Sequence, residues 1–180
     1  MSTKNPLPLL LSLLVVLSVA GCPATLEDLT EARNIAVVKA SYEKLWNEDD
    51  ETMFDDLIEI PGYVHHENDK PDVVFTSYEQ LDAGFDAAQI TTPDVHYTIN
   101  RIFADGDEVI VQWTATGTFT GAYGALEPHG LEMTFTGITI YRLENGKIVE
   151  SWTEDDDQDA LEAFMNADLD NSGDIAGIDE

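Results

Sequence analysis

LEMTFTGITIYRLENGKIVESW, Leu131 to Trp152, is rich in Thr, Ile, Val and aromatic residues at a period near two, and Asn145-Gly146 interrupts it. That period puts successive side chains on opposite faces of a strand, and Asn-Gly is the dipeptide best suited to closing a two-residue hairpin. The stretch therefore predicts two long antiparallel strands. Working upstream, Val95 to Phe103 and Glu108 to Phe119 have the same composition. Asp105-Gly106-Asp107 and the segment Gly121 to Gly130 separate these strands. Thr92-Pro93 marks the point where the apolar period changes from near four to two.

Ahead of that switch the pattern is helical. Ile35, Val38, Tyr42, Leu45 and Trp46 form one apolar face of a helix expected to end near Asn47. A second, short helix is expected over Glu51 to Ile58, stopped by Pro61-Gly62, and Tyr63-Val64-His65-His66 reads as a short extended piece. Residues 67–76 are polar, contain Pro71 and read as loop. Ser77 and Gln80 have capping-box spacing ahead of a third helix bearing Tyr78, Leu81 and Phe85. A last helix is expected over Asp156 to Asn166. Helices first and a meander after them predict an α+β fold, with helices packed on one face of a curved antiparallel sheet.

The N-terminus reads differently. Leu7 to Ala20 is apolar and of signal-peptide length, and Val19-Ala20-Gly21 precede Cys22, the single cysteine of the chain. This resembles the box of bacterial-type lipoproteins, which are cut before a cysteine that then carries the lipid. An ordinary secretory signal and an uncleaved anchor are the alternatives. The implied organisation is a signal peptide at 1–21, a tether at 22–33 for which a helical conformation is open, one α+β domain at 34–166 and an acidic tail at 167–180. The implied location is the cell envelope, exported and held at the membrane by lipid. The formal charge of −28, from 36 acidic against 8 basic residues, disfavours nucleic acid as a partner. With 43% hydrophobic residues the chain can still bury a core.

The order of elements, ending in Gly146-Lys147-Ile148-Val149-Glu150-Ser151-Trp152, resembles the SnoaL-like polyketide cyclase group of the nuclear transport factor 2-like superfamily. Tyr42-Glu43-Lys44-Leu45-Trp46-Asn47-Glu48, Tyr63-Val64-His65-His66, Trp113 to Thr118 and Phe135-Thr136-Gly137 are similar to family landmarks in the same order. The resemblance implies a cone, a bent sheet wrapped around a cavity. Trp113, Met133, Phe135, Tyr141 and Trp152 are the candidates for its apolar wall, and His65, Thr136, Thr139, Glu150 and Glu154 for its polar groups. It also implies that the proton-transferring aspartate of ring-closing members falls on Thr153 and a histidine they use on Thr139. Threonine does not take up a proton at neutral pH, which speaks against that route.

Among the histidines, His65 and His66 are neighbours and so point to opposite faces of a strand, a poor arrangement for binding one metal. No zinc spacing, phosphate loop or nucleophile-elbow serine is present. In the tail, Asp168, Asp170, Ser172, Asp174 and Asp179 have the spacing of an EF-hand or dockerin-type calcium loop, so weak Ca2+ binding and a merely solvated tail are both open. No other cofactor is expected. The leading expectation is a lipid-anchored protein that holds a small, largely apolar molecule in its cone. One alternative is a cyclase or isomerase using His65 with Glu154 or Glu150, and another is a module that forms homodimers through the outside of the sheet.

Overall fold

The structure is a computed structural model that describes residues 25–67, 70–120 and 130–156. Cys22, the calcium-loop residues Asp168, Asp170, Ser172, Asp174 and Asp179, and the last helix after Asp156 lie outside the described residues. Helix α1 spans Leu26–Ser41 and continues without a break as a π-helical turn over Tyr42–Asn47. A 3-10 turn, Glu51–Met53, leads into α2, Phe54–Leu57, and α3 spans Tyr78–Thr91. The strands are β1 Tyr63–Glu67, β2 Val73–Phe75, β3 His96–Asp105, β4 Glu108–Phe119, β5 Leu131–Glu144 and β6 Lys147–Asp155. Among the described residues, no helix is long and apolar enough to cross a membrane.

One six-stranded sheet runs in the order β2-β1-β6-β5-β4-β3. All neighbours are antiparallel except β1 and β6, which run parallel. The meander thus acquires two further strands from the segment between α2 and α3. One of these corrects the sequence reading, since residues 67–76 were expected to be loop. Val73 and Val74 are exposed, and their strand exists through edge pairing with β1. Helix α1 starts at Leu26, inside the expected 22–33 segment, because Thr25 and Asp28 cap each other's backbone N–H reciprocally.

Each long strand separates its faces sharply. Val109, Val111, Trp113 and Ala115 of β4 are buried, whereas Ile110 and Gln112 between them are exposed. The buried side meets Val38, Tyr42 and Leu45 of the first helix and Leu57, Ile58 and Leu81 of the shorter ones. Full burial of a Val, Leu or Ile side chain contributes about 1.5–3 kcal/mol, so this one-sided packing holds the helices to the sheet. Polar ties set their positions. Asn34 Nδ2 donates to the Gly106 carbonyl at 3.1 Å in the β3–β4 turn. Asn47 accepts from the Tyr97 N–H at 2.7 Å and donates to its carbonyl at 3.0 Å. In the β5–β6 turn Asn145 and Gly146 have φ of 54° and 82°, the left-handed pair a type I′ hairpin requires.

Candidate functional site

Between the helices and the inner face of the sheet lies a half-enclosed cavity of about 400 Å³. The π-helical turn contributes directly, for Tyr42, Leu45 and Trp46 all line it. Tyr97 of β3 is the centre of an aromatic wall, with ring centroids 5.0 Å from Trp46, 5.3 Å from Trp113 and 5.9 Å from Tyr42. Phe85 of α3 closes the wall against Trp46 at 4.2 Å. Trp113 owes its position to a glycine opposite. Gly137 is its cross-strand partner, and a Cβ there would lie 2.3 Å from Cζ2 of the indole. The flat ring therefore crosses β5 and its Nε1 donates to Thr139 Oγ1 at 3.0 Å.

Two groups of neutral polar atoms interrupt the apolar lining. In the first, Thr139 Oγ1 and Thr153 Oγ1 lie 3.0 Å apart on paired positions of β5 and β6, and Tyr141 OH donates to Tyr42 OH at 3.2 Å. In the second, Ser151 Oγ is 2.7 Å from Tyr63 OH and 2.8 Å from His65 Nδ1. Burial pushes Tyr42 and Tyr63 up to about 12 and also pushes Tyr141 well above its ordinary value, so these phenols stay protonated. It also pushes His65 down from its ordinary value of 6.5, against the opposing pull of Glu67. The cavity lining is thus aromatic rings, hydroxyls and the His65 imidazole, together with the carboxylates of Glu67 and Asp155.

The sheet decides which of the expected residues reach this cavity. His65, Trp113, Thr139 and Tyr141 line it. Met133 and Phe135 share the inward parity of β5 and are half-buried, but neither lines the cavity. Thr136, Glu150, Trp152 and Glu154 correct the sequence reading, because all four belong to the opposite face. Thr136 is exposed, and its N–H and hydroxyl donate to Asp156 at 2.6 and 3.0 Å. On β6 the cause is a bulge. Arg142 pairs with Glu150 but Leu143 pairs with Ile148, so Val149 has no partner and the parity changes there. Ile148, Ser151, Thr153 and Asp155 consequently face the cavity, while Glu150, Trp152 and Glu154 face away.

Outside, His66 lies between two carboxylates, Nε2 to Glu150 at 2.9 Å and Nδ1 to Asp72 at 2.8 Å. Those bonds raise His66 above its ordinary value of 6.5 and lower Glu150. Trp152 stacks on the imidazole at 5.1 Å with 7° between the planes. Two acidic trios, Glu51-Asp82-Asp86 and Glu27-Glu31-Asp105, bring carboxylate oxygens within 4.8 Å of one another. Neither trio contains a histidine.

The family model for SnoaL-like polyketide cyclases matches residues 36–164. The chain belongs to that family. Solved structures agree in fold. A candidate SnoaL-like polyketide cyclase from Jannaschia sp. CCS1 is 22% identical, superposes with a TM-score of 0.66, and the match covers 77% of this chain and 92% of that one. IdmH, a candidate polyketide cyclase from Streptomyces antibioticus, is 26% identical at a TM-score of 0.61 over 73% of this chain and 97% of that one. An epoxide hydrolase of the LEH-like type from M. tuberculosis, 17% identical, superposes at 0.58 over 76% and 92%. No curated protein matches the sequence.

In this SnoaL-like domain, the two positions that the resemblance assigns to the cyclase aspartate and histidine are Thr153 and Thr139. They touch each other inside the cavity, where Thr139 also accepts from the Trp113 indole, and the pair has no titrating proton. Ser151, Tyr63 and Tyr42 are site residues that sequence reading missed. The bulge at Val149 hid Ser151, and Tyr63 and Tyr42 looked like ordinary core aromatics.

Proposed function

We propose that this protein is a lipid-anchored envelope protein whose SnoaL-like domain binds a small, neutral, largely apolar molecule in its cone. The observation that carries the reading is the cavity of about 400 Å³, walled by aromatic rings and furnished with a few hydroxyl and imidazole groups beside the carboxylates of Glu67 and Asp155. Pockets of about 300–1,000 Å³ with few placed polar groups suit small ligands. An anionic ligand would lose its hydration there beside the carboxylates of Glu67 and Asp155. The Thr139–Thr153 pair supports retention of a guest over ring closure by the family's proton transfer. The anchor rests on Val19-Ala20-Gly21-Cys22.

The binding reading is tested by extracting protein purified from its native membranes with organic solvent and identifying the released species by mass spectrometry. One neutral apolar compound, absent from a Gly84→Phe variant whose ring fills the cavity, is expected. An empty parent, or the same compound in equal amount on the variant, contradicts it. For the anchor, a diacylated or triacylated Cys22 peptide is expected, and Cys22→Ser releases the protein from the membrane. An unmodified N-terminal peptide in the membrane fraction contradicts it.

A second reading, dimerisation, has its own support on the outer face. Phe103, Ile110, Ile140 and Trp152 are cross-strand partners in one row across four strands, with Phe103 59% exposed. Ile138, 47% exposed, widens the row. An uncovered apolar band of this kind fits a second copy of the chain. Sedimentation as a dimer at micromolar concentration, reversed by Phe103→Glu, is the expected result. A monomeric parent contradicts it.

A further inference from the structure

Tyr63, Ser151 and His65 form a hydrogen-bonded row along β1 and its parallel neighbour β6, and Glu67 of β1 stands at its end. Glu67 Oε2 stands 4.0 Å from His65 Nε2, beyond direct hydrogen-bond length, and its Oε1 pairs with Lys70. In the tautomer that serves the row, the imidazole proton is on Nε2, the side that faces this carboxylate. Nδ1 is then the acceptor, Ser151 O–H donates to it at 2.8 Å, and Tyr63 O–H donates to Ser151 at 2.7 Å. The serine hydroxyl is thus polarised by a neutral imidazole with a carboxylate behind it. Ser151, His65 and Glu67 all line the cavity.

We infer that Ser151, His65 and Glu67 are a hydroxyl-imidazole-carboxylate triad that makes this domain an acyl-transfer enzyme toward neutral esters with an apolar acyl group. Ser151 Oγ forms a bond to the acyl carbon while its proton moves to His65 Nδ1. The bond from that carbon to the leaving alkoxy oxygen breaks, and the alkoxide takes the proton from Nδ1 and departs as the alcohol. Water then attacks the acyl-serine, gives its proton to Nδ1, and releases the carboxylic acid as Ser151 recovers its hydrogen. Glu67 stabilises the imidazolium formed in each half. Tyr63 O–H, freed from Ser151 Oγ when that oxygen is acylated, becomes the donor to the carbonyl oxygen beside it. This activity goes beyond retention of a guest and uses none of the positions of the family's cyclase chemistry.

The test is covalent trapping on the full chain in detergent with diisopropyl fluorophosphate, a small neutral serine probe, followed by peptide mass spectrometry. Binding of 2-naphthol, read by tryptophan quenching, is measured on the same samples. A single adduct on Ser151 is expected, abolished in Ser151→Ala and slowed at least ~100-fold in His65→Gln, the scale of a lost general base. Glu67→Gln is expected to slow it by ~10-fold, with p-nitrophenyl butyrate hydrolysis falling in parallel. No adduct on Ser151 in the parent while 2-naphthol still binds overturns the triad and leaves the binding reading intact. Equal labelling of the parent and His65→Gln also overturns it. If neither probe engages the cavity, both readings fall. The site of the adduct in the unmodified protein decides the matter even where a variant fails to fold.

Discussion

His65 and His66 are joined by one peptide bond and face opposite sides of the sheet, and their surroundings make them different chemical groups. His65 looks into the cavity, is bonded to a neutral hydroxyl and is pushed down by burial. His66 looks out, lies between Glu150 and Asp72 and is pushed up. The same division holds for two of the three tryptophans. Trp113 is buried against Gly137 and bonded to Thr139, whereas Trp152 covers the His66 ring on the outside. The acidic coat of the protein thus gives way on the inner face to aromatic rings and hydroxyls, with Glu67 and Asp155 as lining carboxylates, and this largely apolar, cation-free lining defines what the cavity can hold.

The largest test of this contrast compares the two tryptophans. Trp113→Ala is expected to destabilise by about 3–5 kcal/mol, the cost of deleting a buried aromatic ring. Trp152→Ala, which removes one stacked contact, should cost about 1 kcal/mol. Urea denaturation of both variants measures the difference, and similar losses would break the division between faces. Next in size is Gly137→Ala. Its methyl must displace the Trp113 indole from 2.3 Å, at a cost of about 1–3 kcal/mol for overpacking. A red-shifted or quenched Trp113 fluorescence and a lower urea midpoint are expected, and an unchanged midpoint would show that the ring is not held there.

The smallest effect carries the sign of the contrast. His66 is raised above 6.5 in the folded state, so its contribution is complete below 6.5 and is lost as pH climbs through the folded value. His65 is lowered below 6.5, so its contribution is present above 6.5 and is lost as pH falls through that value toward the folded one. Melting temperature against pH should therefore bend in opposite directions on either side of neutrality. His66→Gln removes the decline on the alkaline side, and His65→Gln reduces the decline on the acid side. NMR titration should show His65 titrating below His66, and the reverse order would refute the assignment of faces.

Much of the fold was legible because long strands declare themselves by period and turn chemistry. Asn145-Gly146 and Thr92-Pro93 marked both ends of the meander, and the family landmarks set the order of the helices. β2 was illegible, since three residues after Pro71, two of them exposed valines, carry no period of their own and depend on an edge partner. The site was legible only in part. His65, Trp113, Thr139 and Tyr141 were found because they lie on unbroken strands or on a landmark. On β6 an unpaired residue at Val149 exchanged the faces, which hid Ser151 and sent Glu150, Trp152 and Glu154 to the wrong side. A bulge is a property of two strands together, and one strand's alternation does not reveal it.

The central claim, that the hollow under the sheet accepts a neutral apolar guest, is tested most directly by titrating tryptophan fluorescence with 2-naphthol and with naphthalene-2-sulfonate in parallel. The account predicts saturable one-to-one quenching by 2-naphthol, at least ~10-fold weaker binding of the sulfonate, and loss of both in Gly84→Phe, whose Cβ would make ordinary contact with Phe75 at 3.9 Å. Equal affinity for the two probes, or 2-naphthol binding that survives Gly84→Phe, would contradict it.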